Sequence, residues 1–322
     1  MRAAIGFDTS CYTTSAAAVD ENGAVIGFQR LLLPVQPGSC GLRQSEAVFA
    51  HIKQLPLVVT RLKEQIGNAE ICAAAASAAP TDAPQSYMPV FTAGRNFAVS
   101  LASLLGVPCF TLSHQRGHIL AGQIGNPPLW EPFVALHLSG GTTESLLCER
   151  ETIAPLGRSL DLHAGQLVDR LGVAMGLPFP AGAALEQLAM EAKAEALLPV
   201  SMANDDLDCH LSGAETQCMR WLSGGDYARQ RIAAEAFDLL ARTAARMLAA
   251  ACAKTGARQA LVVGGVASSA LLREQLPARL AKRGCGAEVV FGKREYASDN
   301  AAGAARHGMR KWLETEGLPW KF

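Results

Sequence analysis

The chain contains two stretches in which an apolar run, a short polar turn and a second apolar run follow one another. The clearer one spans residues 133–148, with the turn Ser-Gly-Gly-Thr-Thr in its middle. The other lies at the N-terminus, where apolar residues 3–8 and 15–19 flank a hydroxyl-rich turn over residues 9–14. Each stretch predicts a β-hairpin, and two copies about one domain length apart indicate a duplicated unit with a phosphate between the two turns.

The glycines of the second hairpin turn suit anion binding. Gly140 and Gly141 allow a positive φ or the close approach of a phosphate to the backbone, and the flanking hydroxyls donate further hydrogen bonds. Considered by itself, this stretch is explained as well by a plain hairpin turn. A third glycine turn, Gly264-Gly265, follows a buried-strand pattern and enters a helix over residues 271–280. The three turns together favour a nucleotide-binding cleft.

Length and composition limit the class of protein. With 322 residues the chain is long enough for two lobes, and 49% hydrophobic residues without a very long apolar run predict a globular protein with no membrane span. No signal peptide is evident, so the expected location is the cytoplasm. The nine cysteines, with no C-x-x-C pair, fit free thiols. Basic and acidic residues balance at 29 each, so any RNA contact needs a local patch or a partner.

Apolar periodicity predicts helices over about 45–65, 92–105, 160–172 and 231–254, with a proline-rich loop over 79–89. Asp169 on the third helix either faces solvent or reaches a ribose hydroxyl, and spacing does not decide between these. The buried stripe of the first helix is expected to contain Val48, Ile52, Leu55, Val59 and Leu62, and that of the fourth Ile232, Phe237, Leu240, Ala244, Met247 and Leu248.

Two histidines open the helical segment that follows the short strand 109–112. His114 and His118 are separated by one helical turn, so both imidazoles can point at one ion. Two ligands do not make a site. The carboxylate of Asp299 precedes another helix, where it serves either as a third ligand or as an N-cap. A set of two histidines and a carboxylate suits Fe(II) or Zn(II) with open positions for a substrate oxygen.

Seven short motifs follow one another along nearly the whole chain. In this order they resemble the TsaD family, the tRNA threonylcarbamoyladenosine synthases that were once called glycoproteases (peptidase M22). The motifs are Asp8-Thr9-Ser10-Cys11, His114-Gln115-Arg116-Gly117-His118, Leu138-Ser139-Gly140-Gly141, residues 169–182, Ser212-Gly213, Gly264-Gly265-Val266 and Ser298-Asp299-Asn300-Ala301-Ala302.

The resemblance implies a fold and a division into domains. The expected fold is α/β, of the actin-like ATPase (ASKHA) type, in which duplicated RNase H-like lobes each carry a mixed five-stranded sheet. The N-terminal lobe is expected at residues 1–130 and the C-terminal lobe at residues 131–322. The last helix, at about 299–316, is allowed to pack back on the first lobe.

The resemblance also implies an activity and its site residues. The family moves a threonylcarbamoyl group from its adenylate to N6 of adenosine 37 in tRNA, an acyl transfer with one divalent metal ion, iron or zinc, as Lewis acid in an interlobe cleft. His114, His118 and Asp299 would ligate the metal, and Thr9 and Ser10 would lie near the reacting centre. ATP or threonylcarbamoyl-adenylate would contact His137, Leu138, Ser139, Gly140, Gly141, Asp169, Gly182, Gly264, Gly265 and Ser269.

The chain departs from the family pattern at several motif positions. Where the family usually has Ser-Cys-Asp-Glu-Thr, this chain has Tyr12 and Thr13, so two carboxylates are absent. Thr142 replaces a histidine, Ser269 replaces an asparagine, and the proline-rich insert replaces a Gly-Pro-Gly loop. Loss of a needed general base or cation site would cost orders of magnitude in rate.

Three functions from different classes therefore stay open. The first is the transferase, acting on tRNA or, as a paralogue, on another acceptor. The second is a non-catalytic paralogue that binds the nucleotide and pairs with a true synthase. The third is a metallopeptidase, which is disfavoured because Gln115 stands where a zinc protease of the H-E-x-x-H type has a glutamate.

The expected partners come from the resemblance. They are a smaller TsaB-like homologous subunit, a TsaE-like ATPase and tRNA, without a membrane. Whether a basic patch contacts the tRNA is open, since scattered surface charge explains the same residues. The residues in question are Arg279, Lys282, Arg283, Lys293 and Arg294.

Overall fold

The computed structural model describes residues 1–10, 12–36 and 41–320. The chain forms two compact units. The first contains Met1–Val35, Gly41–Pro128 and Glu295–Phe322, and the second is built around Leu129–Arg294. The segment after Arg294 therefore belongs to the first unit, whereas the division predicted from the sequence counted it with the second lobe and allowed only its last helix to return.

Five strands form the mixed sheet of the first unit. β1 (Arg2–Ser10) pairs antiparallel with β2 (Thr13–Asp20), which pairs antiparallel with β3 (Val25–Leu32). On its other side β1 pairs parallel with β4 (Glu70–Ala79), and β4 pairs parallel with β5 (Cys109–Ser113). The sheet order is β3-β2-β1-β4-β5.

The N-terminal hairpin forms as predicted, but its turn is shorter than the predicted span of residues 9–14. Thr9 pairs with Thr14 and Ser10 with Thr13, so these hydroxyl-bearing residues belong to the strands. Threonine is a good strand former, and its polarity alone does not indicate a turn. Cys11, which belongs to the first motif, lies outside the described residues.

Helices cover both faces of this first sheet. α1 (Gln44–Ile66) and α2 (Val90–Leu105) pack on the face that contains Ile5 and Phe7. The opposite face, which contains Ala4 and Ala17, is covered by two further helices, and the alternation along β1 follows from the two-residue period of a strand. These helices are α3 (His114–Gly122) and α9 (Ala302–Thr315).

The buried stripe of α1 differs from the predicted one. Leu55 and Leu62 are buried as expected, but Ile52 is more than half exposed. The buried face is shared with Ala47, His51, Val58 and Ile66 instead. The prediction failed because α1 carries apolar side chains on more than one face and because a buried histidine does not read as an apolar position.

The second unit repeats the sheet topology of the first. Its strands are β6 (Phe133–Leu138), β7 (Thr143–Glu149) and β8 (Thr152–Arg158), which pair antiparallel, and β11 (Gln259–Val263) and β12 (Glu288–Phe291), which extend the sheet in parallel from β6. The order β12-β11-β6-β7-β8 matches β5-β4-β1-β2-β3 strand for strand. The predicted duplication and the two mixed five-stranded sheets are confirmed.

Most helices of the second unit lie between β8 and β11 in the chain. The predicted helix at 231–254 is confirmed, and all six residues of its predicted stripe are buried. The helix predicted at 160–172 begins only at residue 164. The two helices that follow it were not predicted, because their sequences have little apolar periodicity. The elements are α4 (Ala164–Ala174), α5 (Gly182–Met190), β9 (Ser201–Ala203), β10 (Asp208–His210), α6 (Ser212–Gly224), α7 (Arg229–Thr255) and, after β11, α8 (Ala270–Lys282).

Among residues 1–10, 12–36 and 41–320, no helix has both the length and the apolarity needed to cross a bilayer. Seven cysteines are described, and all seven are free thiols. Cys11 and Cys40 lie outside the described residues.

α3 and α9 approach each other closely at a pair of glycines. A Cβ placed on Gly303 would lie 1.9 Å from the carbonyl oxygen of Gly117, far inside van der Waals contact. Only glycine therefore fits at position 303 at this separation of the two helices. The contact matters because α3 carries His114 and His118, and Asp299 lies just before α9.

We expect Gly303→Ala to destabilise the protein by about 1–3 kcal/mol or more, because the added methyl group forces the two helices apart. The matched control is Gly213→Ala in α6, where a Cβ would meet no atom within 4 Å. The control should be neutral or stabilising by up to about 1 kcal/mol. The free energy of unfolding in urea measures both variants, and equal stabilities would contradict the packing constraint.

Candidate functional site

The N-terminus of α3 places two imidazoles on one helix face. β5 ends at Ser113, whose hydroxyl oxygen accepts a hydrogen bond from the Arg116 N–H at 3.1 Å and caps the helix. His114 is thus the first helical residue, and His118 follows one turn later on the same side. The Nε2 atoms of the two rings are 3.1 Å apart.

Asp299 is the third residue of the metal site predicted from the sequence. Its Oδ1 lies 3.4 Å from His114 Nε2 and 3.3 Å from His118 Nε2. The ligand atoms of the three residues all lie within 4.8 Å of one another. All three side chains belong to the first unit. The division predicted from the sequence had instead placed Asp299 in the second lobe.

A fourth residue, Asp8, orients the first histidine and was not predicted as a site residue. Its Oδ2 lies 2.7 Å from His114 Nδ1, and its Oδ1 accepts the Ser10 N–H at 3.0 Å. The buried carboxylate accepts a hydrogen bond from Nδ1–H, and in the neutral ring this directs the lone pair of His114 Nε2 towards His118 and Asp299. The sequence contained one signal for this role, because Asp8 is an aspartate within a predicted buried strand and opens the first motif.

The loop before α9 is held by Asn300, which the sequence analysis quoted without assigning a role. Its side-chain amide donates to the carbonyl oxygens of Tyr296 and Ser298, each at 2.8 Å, and its Oδ1 accepts the Ala302 N–H at 2.9 Å. Asn300 is buried, so these bonds are shielded from water. They fix the loop on both sides of Asp299.

The charges in the cluster are strongly coupled. Burial lowers the pKa of His114, but the charges and hydrogen bonds of Asp8 and Asp299 outweigh burial and raise that pKa to about 10. Burial and the neighbouring His114 lower the pKa of His118. Burial raises the pKa of Asp299, but its hydrogen bonds to both histidines prevail and hold it well below the usual value. Two carboxylates therefore surround a site that stabilises positive charge.

This donor set fits a divalent transition metal. Two imidazole nitrogens and one carboxylate oxygen form the arrangement that binds Fe(II) or Zn(II) and leaves coordination positions open. The Asp8–His114 bond is the outer support that such ligands usually have. A metal bound here is able to polarise a carbonyl oxygen as a Lewis acid.

The other two residues expected near the reacting centre have different surroundings. Thr9 Oγ1 donates to the Val90 carbonyl oxygen at 2.8 Å and accepts the Gly94 N–H at 3.0 Å, so this side chain anchors β1 to α2. Ser10 is buried, and its hydroxyl makes no hydrogen bond within residues 1–10, 12–36 and 41–320. The geometry assigns Thr9 a structural bond and leaves Ser10 available.

A buried histidine close to these residues was not predicted. The side-chain amide of Gln54 donates to the Leu32 carbonyl oxygen, the Thr14 hydroxyl donates to Gln54 Oε1 at 2.7 Å, and His51 Nδ1 lies 2.8 Å from the Thr14 hydroxyl. The Thr14 hydroxyl proton is donated to Gln54, so Thr14 can only accept a hydrogen bond from His51. His51 Nδ1 therefore carries the ring proton, and Nε2 keeps its lone pair. Burial lowers the pKa of His51 to about 4, so the ring is neutral.

The glycine turn of the second unit is open. Neither Gly140 nor Gly141 has a positive φ, so of the two roles considered for these glycines only the close approach of a phosphate to the backbone remains. A Cβ on either residue would meet nothing within 4 Å. The turn is closed by the bonds of Ser139 N–H to the Thr142 carbonyl oxygen (2.8 Å) and Thr142 N–H to Ser139 Oγ (3.1 Å). In the described part of the chain the Gly140 and Gly141 N–H groups donate to no acceptor.

The turn at Gly264 lies directly against the end of β6. Gly264 has φ of +97°, and a Cβ there would lie 2.3 Å from the Leu138 carbonyl oxygen and 2.9 Å from Cδ2 of the buried His137. The glycine is therefore required by packing and backbone conformation. At Gly265 a Cβ would meet no atom within 4 Å, so the open side of the turn begins there.

The remaining predicted nucleotide contacts make structural hydrogen bonds. Asp169 Oδ1 accepts the Ala181 N–H at 2.8 Å, next to Gly182 at the start of α5. Burial raises the pKa of Asp169. Ser269 caps α8 by accepting the Leu272 N–H at 3.1 Å, and its hydroxyl donates to Glu186. In the second unit, Asp169 and Ser269 thus have partners within the described part of the chain, whereas the Gly140 and Gly141 N–H groups have no acceptor there.

We expect Asp8→Asn to weaken divalent metal binding about 10- to 100-fold, because His114 loses its charged support. Asp20→Asn is the matched control, since Asp20 is also buried and bonds only to the turn that follows β2. Competition with a chelator, using Zn(II) and Co(II), measures the affinity. His114→Ala and Asp299→Ala should each remove the metal, and retention in both would refute the ligand set.

Comparison with solved structures places the fold. The chain matches the activator of 2-hydroxyisocaproyl-CoA dehydratase from Clostridium difficile with a TM-score of 0.56 and 12% identity, covering 99% of both chains. It matches full-length HypF with a TM-score of 0.63 and 13% identity over 99% of this chain and 47% of HypF. A ROK-family glucokinase from Streptomyces griseus matches with a TM-score of 0.56 and 13% identity, over 96% of this chain and 99% of the glucokinase. These are actin-like ATPase folds, and this chain has that fold.

Comparison with known sequences gives the family. The chain is 31% identical over 311 residues to a tRNA N6-adenosine threonylcarbamoyltransferase of Aromatoleum aromaticum, covering 92% of this chain and 88% of that relative. Residues 39–306 match the family described as TsaD, tRNA N6-adenosine threonylcarbamoyltransferase. The seven ordered motifs, the duplicated sheets and these matches agree, and the chain belongs to the TsaD family of tRNA N6-adenosine threonylcarbamoyltransferases.

Proposed function

We propose that this chain transfers a threonylcarbamoyl group from threonylcarbamoyl-adenylate to N6 of adenosine 37 in tRNA. The observation that carries the proposal is the convergence of His114, His118 and Asp299, supported by Asp8. The amine nitrogen attacks the carbamoyl carbon, the bond to the adenylate phosphate breaks, and AMP leaves with the electron pair. The amine loses a proton in the same reaction.

The three ligands would hold Fe(II) or Zn(II), which when bound acts as a Lewis acid on the carbamoyl oxygen. Asp8 keeps His114 in the tautomer that presents Nε2, and Asn300 keeps Asp299 in place. The cluster is partly shielded from water, with His118 buried and Asp299 a quarter exposed. Shielding strengthens every electrostatic contact with a developing negative oxygen.

The adenylate would bind through the open glycine turn of the second unit. The Gly140 and Gly141 N–H groups have no acceptor in the described part of the chain, and a Cβ on either glycine would meet no atom within 4 Å. Such paired N–H groups suit a phosphate oxygen. His137, Leu138, Ser139, Asp169, Gly182, Gly264, Gly265 and Ser269 would form the surroundings of the nucleotide.

The second candidate is a non-catalytic paralogue, favoured by Tyr12 and Thr13. Thr13 is buried in β2 and supplies no carboxylate. If the missing acids serve the chemical step in other members, this chain binds the adenylate without turnover. A metallopeptidase is the least favoured, because the amide of the buried Gln115 cannot act as a base.

A complementation experiment separates the transferase from the binding module. The chain is expressed in the cytoplasm of a bacterium depleted of its own TsaD, and threonylcarbamoyladenosine is measured in digested tRNA by mass spectrometry. We expect the modification to be restored, and restored at least about 100-fold less by His118→Ala, because a lost metal contact costs about 3 kcal/mol in the transition state.

Unchanged depletion would remove the transferase. Purified protein that binds adenylate but does not turn over would then establish the non-catalytic paralogue. Cleavage of an unfolded protein substrate, abolished by a chelator, would establish the peptidase. Tyr12→Asp/Thr13→Glu supplies a further comparison, since an increase in tRNA modification would assign the missing acids to catalysis.

The outward face of α1 supports a protein partner. Phe49, Ile52 and Leu57 are each more than half exposed, although α1 packs on the sheet and on α2 with its other side. Exposed apolar side chains grouped on one helix indicate an interaction surface. We propose that this face binds the smaller TsaB-like homologous subunit, with a TsaE-like ATPase as a third component.

Co-purification with the TsaB-like subunit of the same genome tests this partner. We expect Phe49→Glu/Ile52→Glu to lower the affinity at least about 100-fold, as apolar anchors at the centre of an interface do. Leu160→Glu is the control, because Leu160 is exposed to a similar degree but lies in the second unit. Equal retention of the subunit by both variants would exclude the α1 face.

A further inference from the structure

Basic side chains of α7, of α8 and of the residues that directly follow these helices line two cavities in the second unit. The first cavity, of about 290 Å³, is lined by Arg242, Arg279, Lys282 and Arg283. The second, of about 500 Å³, shares Arg283 and adds Arg258. We call these five side chains the α7–α8 basic surface. None of the five belongs to the candidate metal site or to the Ser139–Gly141 turn.

Two of the arginines are held in place by one buried carboxylate. Asp238 on α7 is 6% exposed, and its two oxygens accept from Arg242 Nε at 2.7 Å and from Arg279. Arg242 also donates to the Leu198 carbonyl oxygen at 2.8 Å, and Arg279 donates to Gln275 at 2.9 Å. The guanidinium groups are therefore ordered before any ligand arrives, which lowers the entropic cost of binding.

The surface carries more positive charge than its surroundings neutralise. Five cationic side chains line the two cavities, and Asp238 pairs with two of them, Arg242 and Arg279. Lys282, Arg283 and Arg258 are exposed and make no ion pair within the part of the chain that the structure describes. Arg279 and Lys282 also lie in the last turn of α8, but a helix end is equivalent to only about half a negative charge.

The shape favours an extended anion over a small one. The two cavities share Arg283 in their lining, and the second is also lined by Gly284 and Gly286, where a Cβ would meet no atom within 4 Å. A single phosphate would use one end of this surface. A chain of phosphates is able to contact the basic side chains of both cavities.

The net charge of the chain does not attract a polyanion. Its 29 basic and 29 acidic residues cancel, so a nucleic acid has to be bound by a local excess of positive charge. We propose that the α7–α8 basic surface binds the phosphodiester backbone of an RNA. This inference rests on the proposed function for the identity of the polyanion, and it places the contact on the second unit.

The proposal narrows the basic patch considered from the sequence. Arg279, Lys282 and Arg283 share a cavity, and Arg242 and Arg258 join them from distant positions in the chain. Lys293 and Arg294 do not line either cavity. Arg294 instead lies near Arg273, whose pKa is lowered by burial and by that neighbouring charge.

The test is equilibrium binding of an unmodified tRNA transcript to the full chain, measured by fluorescence anisotropy across a range of salt concentrations. Lys282→Gln/Arg283→Gln removes two exposed cations without touching the Asp238 bonds. We expect affinity near 0.1 M salt to fall about tenfold and the slope of log K against log salt to become shallower by about 2.

The matched control is Lys193→Gln/Arg220→Gln, which removes two exposed cations elsewhere in the second unit. It should retain both the affinity and the slope. Equal losses in the two double variants would overturn the proposal, as would unchanged binding in Lys282→Gln/Arg283→Gln. Displacement of the tRNA by equimolar inorganic pyrophosphate would also overturn it, because the site would then be one for a small anion.

The readout separates this proposal from the proposed function. Binding is measured without transfer, so a chain that fails to restore threonylcarbamoyladenosine still reports on the surface. Conversely, normal transfer by Lys282→Gln/Arg283→Gln with unchanged tRNA affinity would leave the transferase intact and remove the basic surface from it. Unfolding in urea, expected to match the parent chain, verifies that both variants are folded.

Discussion

The first unit depends on an ionic cluster that is largely withdrawn from water. Asp8, His114, His118 and Asp299 place two carboxylates and two imidazoles within direct contact of one another. Burying such charges is costly unless each has a partner, so the cluster is stable only when its members arrive together. β1, the start of α3 and the loop before α9 each supply a part. The unit's packing is therefore fixed by the requirement that these three elements meet.

Small residues make that meeting possible. The closest approach of α3 and α9 occurs at Gly117 and Gly303, and β1 has alanines and glycine where α9 packs on the sheet. A larger side chain would move the Asp299 loop away from the histidines by more than a hydrogen bond tolerates. The alanine-rich composition of these strands thus serves the geometry of the site as well as the core.

Much of the fold could be predicted from the sequence because its signals were local. The hairpins, the long helix α7 and the glycine end of α2 follow from apolar periodicity and turn chemistry. α5 and α6 were not predicted because tertiary contacts, with little apolar periodicity, stabilise them. The α1 stripe was misplaced because the helix is apolar on a second face, which the interpretation treated as core.

The residues of the candidate site could likewise be predicted only where their signal was local. The spacing of His114 and His118 indicated a shared direction. Asp299, far along the chain, was open to two interpretations, a third ligand or an N-cap, until the family resemblance was considered. Asp8, Asn300 and His51 were not assigned roles because hydrogen bonds between distant elements leave no pattern in sequence. At Asp169 and Ser269, two of the predicted nucleotide contacts, the side chains also make loop and helix-capping hydrogen bonds that the motif positions did not indicate.

The return of the last segment to the first unit has a consequence for biosynthesis. Residues after Arg294 complete the first unit, so Leu129–Arg294 is inserted between two parts of that unit. During translation this inserted segment is synthesised before Asp299 and α9. The nascent chain cannot assemble the histidine–aspartate centre until Asp299 and α9 have left the ribosome, and a proteolytic cut just after Arg294 would separate Asp299 from both histidines.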